Sequence, residues 1–271
     1  MMKTRLERSF LLVGAFAMLA ACSGASEGAP LLTPYSSAPG ATGILGDGSA
    51  RVYSTPAGDA CIQVGTECVK PQSSCAAGDR ADVIVNSSGK VVDTVCYQTT
   101  SDVPLLESAS SVDLHKENKA IVRLDGIADG ADIAGDLSSS GNKVTVFGQG
   151  PSVSTIAGNV TASGNNFALR GVTVQKNTTI DGNNGTLVLC VLEGDVTITG
   201  NNTVIAECTI FGKLHIQGQN TKLVNVKVAG GVVVDGSNTV CDGVTSFTDG
   251  NANKTVESSE LGATVVCSSS K

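Results

Sequence analysis

The side chains able to do chemistry in this 271-residue chain are nine cysteines, two histidines and a scatter of carboxylates. Cys61, Cys68, Cys75 and Cys96 fall close together, Cys190, Cys208, Cys241 and Cys267 are spread over the second half, and Cys22 stands apart. The eight thiols after Cys22 are an even number, and an oxidising compartment would pair them. Zinc would want closely spaced cysteine pairs, and no Cys-x-x-Cys occurs here. Structural cross-links are therefore expected, with no metal site. The candidate bridges are Cys61–Cys68, Cys75–Cys96, Cys190–Cys208 and Cys241–Cys267, although Cys190 and Cys208, stacked at one inward position, read equally well as buried free thiols. Four clustered cysteines permit three pairings, so the connectivity of the first group stays open.

Acid–base catalysis would need carboxylates converging on one face. Asp181 and Asp235 occupy equivalent places in a repeat, but Thr199 and Gln217 lie between them. Asp195 and Lys213 also fall in one column, flanked by Glu193, and read as a surface ion pair. His215 shares its column with Thr197 and Val233 and reads as a solvated surface histidine; His115 is the other imidazole. No nucleophile–histidine–acid set can be assembled, so no catalytic residue is assigned and no cofactor is expected.

The elements that carry these groups follow from a period of 18 residues. Gly164, Gly182, Gly200, Gly218 and Gly236 mark it, and Asn166, Asn184, Asn202, Asn220 and Asn238 follow two places after each. Counting glycine as position one, position six holds Leu169, Leu187, Ile205, Leu223 and Cys241. Position nine holds Val172, Cys190, Cys208, Val226 and Val244. Positions eleven, fifteen and seventeen are again mostly aliphatic. The nine/eleven and fifteen/seventeen pairs have the two-residue period of strands. A short fixed period with turn glycines means a solenoid, here with three short strands per coil and aliphatic columns inside. The asparagines at position three should form a ladder along the stack, and the glycines should supply turn conformations. Ile121, Leu124, Ile127 and Ile133 look like earlier, less regular rungs. The stretch from Gly141 to Ser163 is five residues too long, with Phe147 to Val153 the expected place of the insertion.

Ahead of the solenoid, Ala81–Val85 and Lys90–Val95 flank an Asn86-Ser87-Ser88-Gly89 turn and read as a β-hairpin. The expected divisions are residues 1–21 as an export signal, 22–60 as a flexible tether and 51–99 as a cysteine-rich hairpin module. Residues 100–117 read as a connector, 118–256 as the solenoid and 257–271 as a cap or tail. A Cys241–Cys267 bridge would pin that tail over the solenoid end, which otherwise templates strand pairing.

The formal net charge is −7, and removing residues 1–21 deletes three bases and one acid, leaving −9. That balance argues against nucleic acid and against electrostatic docking on anionic lipid. The chain has no tryptophan and only nine Phe and Tyr residues, which disfavours sugar binding by aromatic stacking.

Lys3, Arg5 and Arg8 precede an apolar run from Phe10 to Leu19, too short for a permanent membrane span. The run ends in Leu19-Ala20-Ala21-Cys22, which resembles the lipobox of bacterial lipoproteins. The resemblance implies cleavage before Cys22 and acylation of that cysteine, with the membrane as partner through the N-terminal lipid. Ser23 in place of aspartate implies the outer membrane.

Over residues 118–256 the pattern resembles the single-stranded right-handed parallel β-helix of pectate-lyase-like proteins, with its asparagine ladders, and also the bactofilin core. A left-handed hexapeptide helix would want apolar residues at position five, where Lys222 stands. The fold expected is therefore all-β, a right-handed parallel β-helix of 18-residue coils behind a small disulfide-rich hairpin. The expected role is a non-enzymatic envelope lipoprotein offering a rigid rod to an unidentified protein or glycan. The alternatives are a bactofilin-like self-assembling element and a polysaccharide lyase or hydrolase, the lyases of the fold using clustered aspartates and an arginine base. Arg170 is the one arginine of the regular coils.

Overall fold

The computed structural model describes residues 52–56, 62–64, 67–69, 79–88, 90–98, 105–106, 108–124 and 130–267. All belong to one compact unit, residues 32–271. The export signal, the Cys22 motif, Cys61, Cys75 and Ile127 lie outside the described residues. Among the described residues there is no α-helix, and none is long and apolar enough to cross a membrane.

The chain from residue 105 onward is a parallel β-helix with three sheets running along its length. The first face stacks eight strands, from Leu105–Leu106 through Thr186–Val188 to Val240–Asp242. The second face runs from Thr155–Ile156 to Thr245–Phe247, with a last strand, Leu261–Thr264, added antiparallel. The third face runs from Val112–Leu114 to Val232–Val234. In the regular part each residue pairs with the one 18 positions on, as in Leu187↔Ile205 and Ile205↔Leu223. Successive coils therefore lie about 4.8 Å apart, and every coil closes its backbone hydrogen bonds on the next.

The aliphatic columns point inward. Leu169, Leu187, Ile205 and Leu223 are fully buried, as are Val172, Val226, Val174, Leu192, Ile210, Ile180, Ile198 and Ile216. Lys222 lies on the outward side of its strand and is exposed, so position five is an exterior column and position six the interior one. The apolar rule is broken at several inward sites, Ser139 and Thr178 on the third face among them. The Thr178 side chain is fully buried, its hydroxyl has no hydrogen-bond partner, and valines occupy the same column at Val160 and Val196. Thr178→Val should therefore stabilise the fold by about 1 kcal/mol, read as a raised midpoint in urea. An unchanged or lowered midpoint would show that the hydroxyl is satisfied in solution.

The solenoid begins earlier than the sequence indicated. Leu105–Leu106 and Val112–Leu114, read as connector, already pair with the next coil. Strands of two or three residues carry too little alternation to be seen. The insertion falls where expected: the regular coil passes from Arg170 to Thr173, whereas the equivalent path from Phe147 to Thr155 carries five more residues. Leu124 and Ile133 are buried rungs, and Ile121 is half-buried.

The glycines at position one have a different task from the one expected. Their φ angles are not left-handed. They are glycines because a Cβ on Gly200 would lie 1.9 Å from the Gly182 carbonyl oxygen one coil below, and Gly182 and Gly218 have the same clearance. The left-handed conformation instead belongs to the ladder asparagines, with φ from 56 to 59° at Asn166, Asn184, Asn202, Asn220 and Asn238. It recurs at the corner between the first two faces, at Gly171, Leu189, Glu207, Asn225 and Gly243. Asparagine tolerates that region because its short polar side chain bonds locally.

The hairpin is present: Asp79–Val85 pairs antiparallel with Val91–Gln98, and Asn86 bonds back across the turn to Lys90. Val52–Pro56, which fell in the stretch read as a tether, adds a third antiparallel strand; residues 22–51 lie outside the described ones. This small sheet lies on the outside of the first face. Val52, Ile84 and Val95 pack on Ala168, Val188, Val204, Ala206 and Val224. Asp82 meets Arg170, while Ser87 donates its N–H to Asp242, four coils further on. Four coils span about 19 Å and five extended residues about 17 Å, so the hairpin runs along the rod axis and crosses the face strands steeply. It splints the coils together.

Asp93 sits in this seam. Burial pushes its carboxyl above the ordinary range, partly offset by the Thr94 N–H and by Lys222. A carboxyl raised in the folded state favours folding while protonated, and that contribution fades as pH rises through the folded pKa. Asp93→Asn should therefore raise the melting temperature at neutral pH and make no difference below pH 3.8, the ordinary aspartate value. Equal melting curves at both pH values would refute this.

Candidate interaction surface

Two of the three faces are covered. The hairpin module lies over the first. Over the second, the insertion reaches Thr173, whose hydroxyl donates to the Pro151 carbonyl at 2.6 Å. The C-terminal segment covers its far half: Lys254 pairs with Glu193 and Val256 is buried, while Phe247, on the last regular strand of the face, meets Phe211 edge-on at 5.2 Å.

Among the described residues nothing covers the third face, and with its adjoining corner it carries an array of polar columns. Asn159, Asn177, Asp195 and Lys213 form one, and Ser138, Thr161, Thr179, Thr197 and His215 the next. Asp181, Thr199, Gln217 and Asp235 follow, and two asparagine columns turn the corner.

The five expected ladder asparagines do stack. Asn184, Asn202, Asn220 and Asn238 each donate from Nδ2 to the Oδ1 of the previous asparagine, at 3.1–3.3 Å. Two further ladders escaped the sequence reading. Asn142, Asn165, Asn183 and Asn201 accept at Oδ1 from the backbone N–H one coil later, at 2.8–3.0 Å. Asp136, Asn159, Asn177 and Asp195 do the same on the third face. The signal was there as asparagine or aspartate at a constant offset. The two hydrogen bonds from Asn159 hold the Asp136 carboxyl below its usual range. Asp195 is thus a ladder acceptor for the Lys213 N–H at 2.8 Å, not the partner of the Lys213 ammonium, and Glu193 pairs with Lys254. Asn177 likewise serves the ladder.

His215 differs from expectation. It is 28 % exposed, and its Nε2 lies 2.6 Å from Asp235 Oδ2. A residue at position sixteen and one two places further along in the next coil are diagonal neighbours, which explains the contact. Asp181 accepts from the Thr199 hydroxyl at 2.7 Å, so the two aspartates have separate partners. Arg170 is 5 % exposed and turned into the module seam against Asp82. Among the described residues no three His, Cys, Asp or Glu side chains gather as a metal site.

The cysteines divide. Cys241 and Cys267 are bridged, with Cα atoms 5.5 Å apart. Cys96 is disulfide-bonded, and its expected partner Cys75 lies outside the described residues, as does Cys61; Cys68 lies in the strand Glu67–Val69. The Cys190–Cys208 bridge is not formed. Both are free, buried thiols whose sulfurs donate to backbone carbonyls, Cys190 to Val188 at 3.2 Å and Cys208 to Ala206 at 3.3 Å. Burial pushes the Cys208 thiol well above its ordinary range, which leaves it an inert core group.

Comparison with models of protein families, with curated proteins and with solved structures gave no match to this chain. What is established is the architecture: a parallel β-solenoid of 18-residue coils with a disulfide near its C-terminal end.

Proposed function

We propose that this chain is a non-enzymatic lipoprotein of the bacterial cell envelope, a rigid β-helical rod carried on a lipidated leash. The β-helix is an architecture of both structural rods and pectate-lyase-like enzymes, so the choice between them rests on what the coils present. The observation that carries the reading is Cys22, which closes a basic head and an apolar run in the Leu19-Ala20-Ala21-Cys22 order. Several acyl chains on one residue anchor firmly where a single chain does not. Residues 23–51, rich in Ser, Gly and Ala, would reach roughly 27–32 Å as a coil, enough to hold the rod clear of the lipid surface.

The rod supports a binding role through its third face, where amide, hydroxyl and carboxylate groups recur along the coils. Its first face is taken up by the hairpin, and Arg170, the arginine of the regular coils, is spent on that contact. The partner would be an envelope protein or glycan, and the outer membrane the site.

The test is Cys22→Ser followed by cell fractionation. The substituted protein is expected in the soluble envelope fraction and the natural protein in the membrane fraction. A Cys22→Ser protein that still sediments with membranes would overturn the proposal.

A further inference from the structure

The chain that leads from the last coil into the cap runs from Asp249 to Glu260, and its polar residues follow a spacing unrelated to the 18-residue period. Asp249, Asn251, Asn253, Thr255, Glu257 and Glu260 occupy positions one, three, five, seven, nine and twelve of that stretch. A twelve-residue calcium loop draws its oxygens from the same six positions, with a main-chain carbonyl at seven and a bidentate glutamate at twelve. Asp or Asn at one, three and five, with Glu at twelve, are the residue types of that pattern. The one departure is position six, where the pattern has glycine and this chain has Lys254.

The folded loop makes the sharp turn nevertheless. Lys254 holds φ at 56°, in the left-handed region that favours glycine, and Ala252 holds 55°. The Asp249 carboxylate accepts from the N–H groups of Asn253 and Lys254, each at 3.2 Å, so the chain curls around position one. Glu260 returns to the start of the loop. Its Oε1 accepts from the Gly250 N–H at 3.0 Å and its Oε2 from the Glu257 N–H at 3.1 Å. Val256 is buried and fastens the loop to the rod.

The charges of the loop lack a cationic partner. Lys254, its one cationic side chain, is turned outward against Glu193 of the second face. The ion pairs among the described residues include neither Asp249 nor Glu257 nor Glu260. The three carboxylates do not gather as a metal site by themselves; the oxygens of Asn251, Asn253 and Thr255 are what would complete a shell. Asn251 and Asn253 each donate Nδ2 to Glu257 Oε1 at 3.3 Å, and a half-turn of each amide presents its Oδ1 instead.

We propose that residues 249–260 bind one calcium ion. The donors are all oxygens, which suits a hard cation. Their number and the adaptable loop suit calcium over magnesium, which demands a near-ideal octahedron. Only three of the six ligands carry charge, which places the affinity at the weak end of such loops, a Kd of about 10⁻⁴–10⁻³ M. The ion would tie Asp249, just after the strand Thr245–Phe247, to Glu260, just before Leu261–Thr264. It would thereby hold the cap on the end of the rod. The site is independent of lipid attachment, so the full-length Cys22→Ser protein serves for the test.

Calcium chloride titrated into that protein after EDTA treatment should show one site per chain by calorimetry, with magnesium chloride binding about tenfold more weakly or less. Saturating calcium should raise the melting temperature, because the ion binds only the folded loop. Glu260→Gln and Asp249→Asn should each weaken calcium binding about tenfold or more and abolish the rise in melting temperature. Asp235→Asn, on the third face, should leave both unchanged. Circular dichroism in EDTA shows which variants keep the fold, and the natural loop alone decides the matter should either loop variant lose it. No saturable binding at about 10 mM calcium, equal binding of magnesium, or binding untouched in a folded Glu260→Gln or Asp249→Asn protein would each overturn the proposal.

Discussion

Gly200→Ala is expected to cost about 3 kcal/mol or more, and to leave the rod unfolded or frayed around its middle coils. The added methyl would sit 1.9 Å from the Gly182 carbonyl oxygen, far inside any allowed contact. Relief would require the two coils to part. Their spacing, however, is fixed by hydrogen bonds on either side, such as Gly200 to the Ile180 carbonyl at 3.2 Å and Val204 to the Gly185 carbonyl at 2.9 Å. Rigid backbone on both sides of the collision makes the cost larger than for overpacking against a flexible side chain. Gly250→Ala is the control: nothing lies within 4 Å of a Cβ there and its φ is not left-handed, so a change within about 0.5 kcal/mol is expected. Urea unfolding of both variants, followed by circular dichroism, checks this. A Gly200→Ala protein as stable as the Gly250→Ala protein would mean that the coils are not packed so closely.

Arg170→Ala should release the hairpin module, with a loss of about 3–5 kcal/mol from the seam. The guanidinium and the Asp82 carboxylate are 6 and 0 % exposed at their side chains. Truncating one charge leaves the other buried without it, and that penalty exceeds the net worth of the intact pair. Asp82→Leu with Arg170→Met should therefore recover most of the loss, because Val188 and Ile84 already make the surroundings apolar. Hydrogen exchange in the hairpin separates the outcomes: fast in Arg170→Ala, slow in the double variant. Slow exchange in the single variant would show that the apolar contacts alone hold the module.

The interior of the rod was legible because stacking repeats each environment every 18 residues, so Leu187, Ile205 and Leu223 announce a shared column. The same logic exposed the asparagine ladder. What stayed hidden depends on contacts without a period. The outward positions Ala168 and Val204 alternate with Thr186 and Lys222, and nothing in that column says that a sheet from far earlier in the chain covers it. His215 and Asp235 are 20 residues apart, one coil plus two places, an offset that a search along straight columns misses. The role of the position-one glycines was misjudged for a related reason. Recurrent glycine signals a left-handed turn or a close approach, and only the folded structure distinguishes Gly200, which has a carbonyl beneath it, from Asn202, which takes the turn.

Methyl-to-methyl Overhauser contacts in a selectively labelled sample examine the stacking most directly. Leu187 should give cross-peaks to Ile205, and Ile205 to Leu223, at each 18-residue step. If Ile205 instead contacted only residues near it in sequence, neighbouring coils would not be superposed, and the solenoid, its covered faces and its polar third face would all have to be abandoned.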